Sequence, residues 1–212
     1  WLYKNYENYD SSTYKPKAND KYFRIQKLVR DFMQDTSPYR GLLLYHGLGG
    51  GKTCGAIAIT ESIKNKKEVI NLSKAALEQN FRDNIMKCGF DYMKKNNYWV
   101  FIKGTNSFEK QLISELNIPQ SVITENGGCF IIDYSEKKSN FDVLSKLNQK
   151  KLMEQIKSMI NNRFKFLHLD DTRLLKKIKD GDFDDKVIIV DEVHNLTNTM
   201  ASGTTTGIAF YD

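Results

Sequence analysis

The residues of this sequence whose types and spacing suit chemistry stand first in the segment HGLGGGKT, from His46 to Thr53. Glycine lets the backbone wrap closely around an anion, a lysine there reaches the outer phosphates of a nucleotide, and a threonine hydroxyl offers an oxygen to Mg²⁺. The strict pattern GxxxxGK[ST] requires glycine at position 46, so the segment follows the variant GxGxGKT. The predicted cofactor-binding residues are Gly47, Leu48, Gly49, Gly50, Gly51, Lys52 and Thr53.

A glycine turn followed by Lys and Thr by chance is the alternative interpretation of this segment. The apolar run LLLY precedes it, and the alanine- and isoleucine-rich run CGAIAI follows it. A strand before and a helix after are the surroundings that a phosphate-binding loop needs, because the helix N-terminus adds partial positive charge. The flanking sequence therefore favours a nucleotide site.

A second candidate group, Asp191 and Glu192, ends the apolar run VIIV in the segment KVIIVDEVHNL. One carboxylate can complete the coordination shell of Mg²⁺, and the other can orient and activate the water that attacks the terminal phosphate. A simple acidic cap at a strand end is the alternative. An upstream phosphate loop weakens that alternative, since the strands of one parallel sheet end side by side.

The elements that must position these residues alternate between strand and helix, which predicts an α/β domain with a mostly parallel sheet flanked by helices. Helical spacing of apolar side chains predicts a helix at residues 22–33. We predict strands at GLLLYHG, KKEVINLS and DDKVIIVDEVHNL, and less clearly, in the middle of the chain, at NNYWVFIKG, GGCFIIDY and FKFLHLD. Helices are predicted at KTCGAIAITESIKN, at residues 73–89 with Ser73 as N-cap, at SFEKQLISELN and at residues 141–161.

The chain divides into three segments. Residues 1–20 are polar, lack a sustained period and are predicted to form an extended arm. Residues 21–200 carry the alternating elements and are predicted to form one domain. Residues 201–212 belong to a small, polar stretch that begins at residue 197, and we predict a loop there that leads to a missing C-terminal part.

Composition limits the classes of function. No apolar run approaches the roughly 20 residues that span a bilayer, and no charged-then-apolar leader begins the sequence, so we expect neither a membrane protein nor a secreted one. The net charge of +6 suits a polyanionic partner, although a lysine-rich solvated surface explains it equally well. Cys54, Cys88 and Cys129 lie far apart without metal-site spacing, so we expect neither a zinc site nor a disulfide framework, and we expect a reducing compartment.

Taken together, GLGGGKT and DEVH resemble motifs I and II of superfamily 2 helicases and translocases of the DExH type. The segment NLSKAALEQNFRDNI resembles their motif Ia, which touches the nucleic-acid backbone, and the match rests on Leu77 and Gln79. This resemblance implies a RecA-like P-loop NTPase domain that serves as the first lobe of an ATP hydrolase. It also implies a second lobe that supplies arginine fingers, and we expect that lobe outside this chain because nothing after Leu196 resembles it.

The resemblance assigns roles residue by residue. Lys52 would bind the β and γ phosphates of ATP, Thr53 and Asp191 would hold Mg²⁺, and Glu192 would act as the catalytic base. His194 would link the nucleotide state to the side that faces nucleic acid, and an ordinary strand-end histidine is its alternative.

Two further assignments follow from the same resemblance. YFRIQKLVRDFM resembles the helix that carries an adenine-recognising glutamine, which would be Gln26, although a solvated glutamine is the commoner case on such a helix. The segment around HLDDTR, followed by RLLKKIK, stands where the family has a further backbone contact, and this makes Arg173 a candidate.

The sequence of residues 22–196 resembles helicase-like proteins of nucleocytoplasmic large DNA viruses more closely still. These proteins are related to poxvirus early transcription factor and transcript-release ATPases. The resemblance implies DNA or RNA as partner, viral RNA polymerase or other virion proteins as further partners, and the host cytoplasm or the virion as location. An ATP-dependent helicase or translocase is the leading hypothesis, with a viral transcription-factor ATPase as alternative. A nucleotide-binding interaction module without significant turnover is the alternative from another class. A P-loop kinase is a lesser one, because no arginine-rich lid segment is evident.

Overall fold

The computed structural model describes residues 24–34, 36–45, 51–63, 67–115 and 118–211. The predicted arm at residues 1–20 and the loop residues 46–50 lie outside this part. The strands are β1 (Val69–Ser73), β2 (Trp99–Ile102), β3 (Cys129–Ile132), β4 (Phe164–His168) and β5 (Val187–Val190). The helices are α1 (Arg24–Phe32), α2 (Lys52–Ser62), α3 (Glu78–Cys88), α4 (Ser107–Glu115), α5 (Gln120–Asn126), α6 (Lys146–Arg163), α7 (Leu174–Lys179), α8 (His194–Ala201) and α9 (Thr205–Tyr211).

The main sheet has three parallel strands in the order β4–β1–β5. Val69 in the central strand pairs with Phe164 on one side and Val187 on the other. Every residue of β1 is buried, as expected of a central strand covered on both faces. The predicted α/β class is confirmed, and a parallel sheet flanked by helices is consistent with a RecA-like domain.

The core lies between this sheet and the helices against it. Ile57 of α2, Phe81 and Ile85 of α3, and Leu152 and Ile156 of α6 are fully buried in one cluster with β1 and β4. The helices are therefore fixed against the sheet by apolar packing. This packing sets the positions of the helix and strand ends that carry the candidate site residues.

A second sheet consists of the two antiparallel strands β2 and β3, which lie between α3 and α6 in the sequence. The side chain of Gln155 on α6 lies beside β3 and bonds both backbone groups of Phe130, accepting from the amide and donating to the carbonyl at 2.8 Å each. Gln155 is almost completely buried. Its amide satisfies two backbone groups that would otherwise be buried without partners.

The prediction of a strand at GLLLYHG is wrong for residues 41–45, the part of this run that the structure describes. Residues 41–45 have no regular secondary structure, and Leu43 is 69% exposed and Tyr45 92% exposed. A strand needs a neighbouring edge to bond with, whereas this run and β5 both line one cleft and do not pair. Apolar character alone therefore does not produce a strand here.

The prediction of a loop at the C-terminal end is also wrong. Helix α8 covers His194–Ala201 and helix α9 covers Thr205–Tyr211, which includes most of the tail predicted to be irregular at residues 201–212. Phe210 of α9 packs edge-on against Phe183, at 5.9 Å between ring centroids. Burial of such apolar side chains stabilises a helix whose sequence is otherwise rich in threonine and glycine, both weak helix formers.

Two smaller expectations are corrected as well. Cys54 and Cys88 form a disulfide that joins α2 to the last residue of α3, whereas the cysteine spacing led us to expect no disulfide framework. Sequence spacing concealed this pair, because the two helices approach each other only in the folded chain. Ser73 is the last residue of β1, and a short 3-10 turn at Ala75–Leu77 precedes α3, so Ser73 is not its N-cap.

In the part of the chain that the structure describes, no helix combines the length and the apolar character needed to cross a membrane.

Candidate functional site

The first group of the candidate site lies at the N-terminus of α2. Gly51 is the N-cap, with φ 70° and ψ 25°, a left-handed conformation that glycine adopts without strain. Lys52 and Thr53 are the first two residues of the helix and are half-buried. The first amides of a helix have no partners within the helix, so this end favours an anion.

The second group lies at the carboxyl end of β5. The amide of Asp191 donates to the carbonyl of Leu72 at 3.1 Å, which continues the bonding between β1 and β5 by one residue. Glu192 follows with φ 53°, a left-handed conformation that is costly for a residue with a side chain. Such conformations cluster at functional sites, where the surrounding structure holds them in place.

The two groups interact electrostatically. Burial raises the pKa of the Asp191 carboxyl, and the charge of Glu192 raises it further. A hydrogen bond from the backbone of Glu192 and the positive charge of Lys52 act in the opposite direction. Burial and the charge of Glu192 outweigh these two effects, so the pKa of Asp191 lies above its ordinary value.

One cleft of about 1010 Å³ contains both groups. Lys52 and Thr53 line it together with Asp191, Glu192 and His194, so the structure brings together five residues that the sequence singled out. Residues of the segment 39–45 and of β5 form other parts of its wall. Its size is in the usual range for a small-molecule site, at about the upper end.

The oxygen donors of the cleft fit Mg²⁺. Thr53 offers a hydroxyl and Asp191 a carboxylate, and the carboxylate is one that burial and a neighbouring charge make costly to ionise. The described residues contain no group of three or more His, Cys, Asp and Glu side chains close enough to hold a metal ion by themselves. Mg²⁺ commonly binds one or two protein oxygens and completes its shell with waters and substrate phosphates, which suits this arrangement.

His194 begins α8 and lies at the same end of the cleft. Its Nδ1 lies 3.3 Å from Oε2 of Glu192, and the two side chains are 64% and 50% exposed. At this exposure an ion pair contributes little to stability. The contact nonetheless places His194 where it can respond to changes at Glu192.

The candidates for nucleic-acid contact lie at the carboxyl edge of the sheet. Leu77 belongs to the turn after β1, Gln79 is exposed in the first turn of α3, and Arg173 is 78% exposed after β4. Because β1 and β4 are parallel neighbours, the segments that follow them leave at the same edge. Arg173 is held by Asp171, whose carboxylate accepts from both its backbone amide and its guanidinium.

An ion-pair group missed by the sequence analysis connects these two segments. Glu78 accepts from Arg82 at 2.6 Å, and Nε2 of His168, the last residue of β4, lies 2.8 Å from its other carboxylate oxygen. Burial by itself would raise the pKa of Glu78, but the bonds from Arg82 and His168 outweigh it and hold that pKa below its ordinary value. The i,i+4 spacing of Glu78 and Arg82 was the available signal, whereas His168 was not identifiable from sequence.

A solvated glutamine on the helix surface is the commoner case, but Gln26 is buried. It is 4% exposed, and its Nε2 donates to the carbonyl of Gly51 at 3.2 Å. It shares a face of α1 with Val29, the other buried residue of that helix, and this i,i+3 relation was the only signal for burial.

Comparison with known proteins gives relatives among viral helicases. No family model matches the chain, and no solved structure matches it. A protein of Acanthamoeba polyphaga mimivirus named as a candidate ATP-dependent RNA helicase is 28% identical over 199 residues, which is 85% of this chain and 16% of that protein. A second mimivirus protein named in the same way is 40% identical over 68 residues, covering 32% of this chain and 12% of the relative.

A third relative, a candidate helicase of Frog virus 3 (isolate Goorha), is 41% identical over 76 residues, or 34% of this chain and 8% of the relative. The matches therefore span less than a fifth of the length of each of these curated relatives. Their names support a helicase family for this chain.

Proposed function

We propose that this chain is the ATP-binding lobe of a viral helicase or translocase of the DExH type in superfamily 2. The observation that carries the proposal is the single cleft that contains the N-terminus of α2 with Lys52 and Thr53 and the end of β5 with Asp191 and Glu192. The names of the viral relatives, ATP-dependent RNA helicase among them, support the same class.

The side chains of the cleft suit hydrolysis of a nucleoside triphosphate. The ammonium of Lys52 and the free amides at the start of α2 would bind the β and γ phosphates. Bound Mg²⁺, held by Thr53 and Asp191, would offset the negative charge that develops on the phosphate oxygens. Glu192 would orient a water for attack on the γ phosphorus and accept its proton, while the bond to ADP breaks.

The carboxyl edge of the sheet would contact the nucleic-acid backbone. Leu77, Gln79 and Arg173 lie in the segments that follow β1 and β4, and Asp191 follows β5 at the same edge. A change at the nucleotide can therefore reach the nucleic-acid contacts over a short path through the ends of adjacent strands. The word RNA in the relatives' names makes RNA the first track to test, with DNA beside it.

The test is ATP hydrolysis by the longest reading frame that contains this chain, with and without single-stranded and duplex RNA and DNA. Glu192→Gln should keep ATP affinity within about two-fold and lower turnover by about 100-fold or more, since it removes the base and little of the binding surface. Glu154→Gln changes a side chain of α6 that is 54% exposed and does not line the cleft, so it is the matched control and should change neither.

Stimulation by one nucleic acid that Glu192→Gln abolishes would support a motor and identify its track. Arg173→Ala should weaken that stimulation while leaving ATP affinity unchanged, because Arg173 lies after β4 and does not line the cleft. ATP binding without turnover under every condition would refute the motor and leave a nucleotide-dependent binding module.

A further inference from the structure

The buried amide of Gln26 contacts the backbone at the start of the phosphate-binding helix. Its Nε2 donates to the carbonyl oxygen of Gly51 at 3.2 Å, across 25 positions of the sequence. That carbonyl also accepts the first helical bond of α2, from the amide of Gly55 at 2.9 Å. Two donors from different helices therefore fix the orientation of one carbonyl group.

The orientation of this carbonyl determines where the amide of Lys52 points. The carbonyl of Gly51 and the amide of Lys52 belong to one planar trans peptide, so the two groups point in opposite directions. With the carbonyl directed along α2 and towards Gln26, the amide is directed out of the N-terminus of the helix. Amides in this position have no partner within the helix and are the donors that bind phosphate.

The packing of α1 on α2 keeps Gln26 in this position. A Cβ built on Gly55 would lie 3.6 Å from a methyl group of Val29 and 3.9 Å from Cγ of Gln26, so α1 lies directly against the first turn of α2. Gln26 is 4% exposed. A buried amide that lost a hydrogen bond would be destabilised, so the side chain has a strong preference for this conformation.

Gln26 is also separate from the surface of the nucleotide cleft. In the described part of the chain, the wall of the cleft includes Met33, Gln34 and Tyr39, which follow α1. It does not include Gln26. A residue that reads a base would have to present its amide to the cleft, whereas the amide of Gln26 bonds to Gly51.

From these contacts we infer that Gln26 is a positioning residue for the N-terminus of α2, and that it does not select the base. It holds the peptide between Gly51 and Lys52 in the orientation that aims an amide at the phosphates. The inference rests on the proposed function, since it presupposes a nucleotide in the cleft. Loss of the bond should therefore weaken every ligand that carries a polyphosphate, whatever its base.

The experiment measures dissociation constants of Mg²⁺ complexes of ATP, GTP and inorganic tripolyphosphate, which has no base. Gln26→Met keeps the length of the side chain and removes the donor. It should weaken all three ligands by the same factor, about ten-fold for one hydrogen bond that orients a charged contact, and leave the ATP to GTP ratio unchanged. Val29→Ala, on the same face of α1, is the matched control for general weakening of the packing and should leave the three constants within about two-fold.

A variant that weakens ATP and leaves tripolyphosphate unchanged would overturn the inference in favour of a base contact. Unchanged constants for all three would overturn it as well. If Gln26→Met does not fold, Gln26→Glu replaces it, since it keeps the shape and sets an oxygen against the carbonyl of Gly51. Loss of folding in both variants would make Gln26 a structural residue and refute the inference.

The two proposals fail in different ways. Binding of all three ligands by the wild-type protein without any hydrolysis would refute the motor and leave the comparison of Gln26 variants intact. If the wild-type protein binds none of the three ligands, there is no phosphate site for Gln26 to position, and both proposals are refuted.

Discussion

Reduction of the disulfide between Cys54 and Cys88 should lower the stability of the domain by an amount that loop length sets. The bond joins residues 34 positions apart. A cross-link that closes a loop of this length removes conformational entropy from the unfolded chain corresponding to about 4 kcal/mol at 25 °C. For a domain of about 200 residues, this predicts a melting temperature lower by roughly 8 to 15 °C.

The assay is thermal and urea unfolding of the wild-type protein with and without a reducing agent, beside Cys54→Ser, Cys88→Ser and the double variant. Each variant lacks the same bond, so all three should lose about the same stability and none should respond to the reducing agent. The losses must not add in the double variant, because one bond cannot be removed twice. A wild-type protein that melts at the same temperature in both conditions, or additive losses, would refute the reasoning.

Two further perturbations follow from buried contacts. Gln155→Leu should destabilise the domain by about 2 to 5 kcal/mol in urea unfolding, because it leaves the amide and the carbonyl of Phe130 buried without partners. Glu78 has a folded-state pKa below its ordinary value, so its contribution to stability is present at neutral pH and is lost as the pH falls through that pKa. The wild-type protein should thus lose more stability than Glu78→Gln on acidification below about pH 5.

Each of these has a control in α6. Lys150→Ala changes a side chain that is 75% exposed and should alter the free energy of unfolding by less than about 0.5 kcal/mol. If it costs as much as Gln155→Leu, the loss does not come from the contact with β3. Glu154→Gln removes an exposed carboxylate and should lose as much stability on acidification as the wild-type protein does. If Glu78→Gln also loses as much stability as the wild type, Glu78 does not have the role described.

Part of the fold could be predicted from local sequence. The run VIIV is apolar throughout and the run VINLS is mostly apolar, and they form the parallel strands β5 and β1. The segment that begins at Lys52 is rich in alanine and isoleucine and follows a glycine, and it forms α2. Local propensity and burial agree at these positions, so no knowledge of the neighbouring elements was required.

Other parts depended on elements far away in the sequence. LLLY has the same apolar character as VIIV and forms no strand, because strand formation requires a neighbouring edge. Cys54 and Cys88 form a bond only because α2 and α3 pack side by side. Gln155 looks like an ordinary helix-surface residue, and its burial depends on the edge of β3 beside it.

For the candidate site, the sequence by itself determined the chemistry. Lysine and threonine follow a glycine run, and two acidic residues follow an apolar run. These are the residue types that a phosphate and Mg²⁺ site requires, so the sequence predicts such a site. Only the tertiary structure decided that these groups share one cleft and that Gln26 bonds to Gly51. Residue types fix which atoms can donate, accept or ionise, whereas distance, burial and orientation arise from contacts between segments that are far apart in the chain.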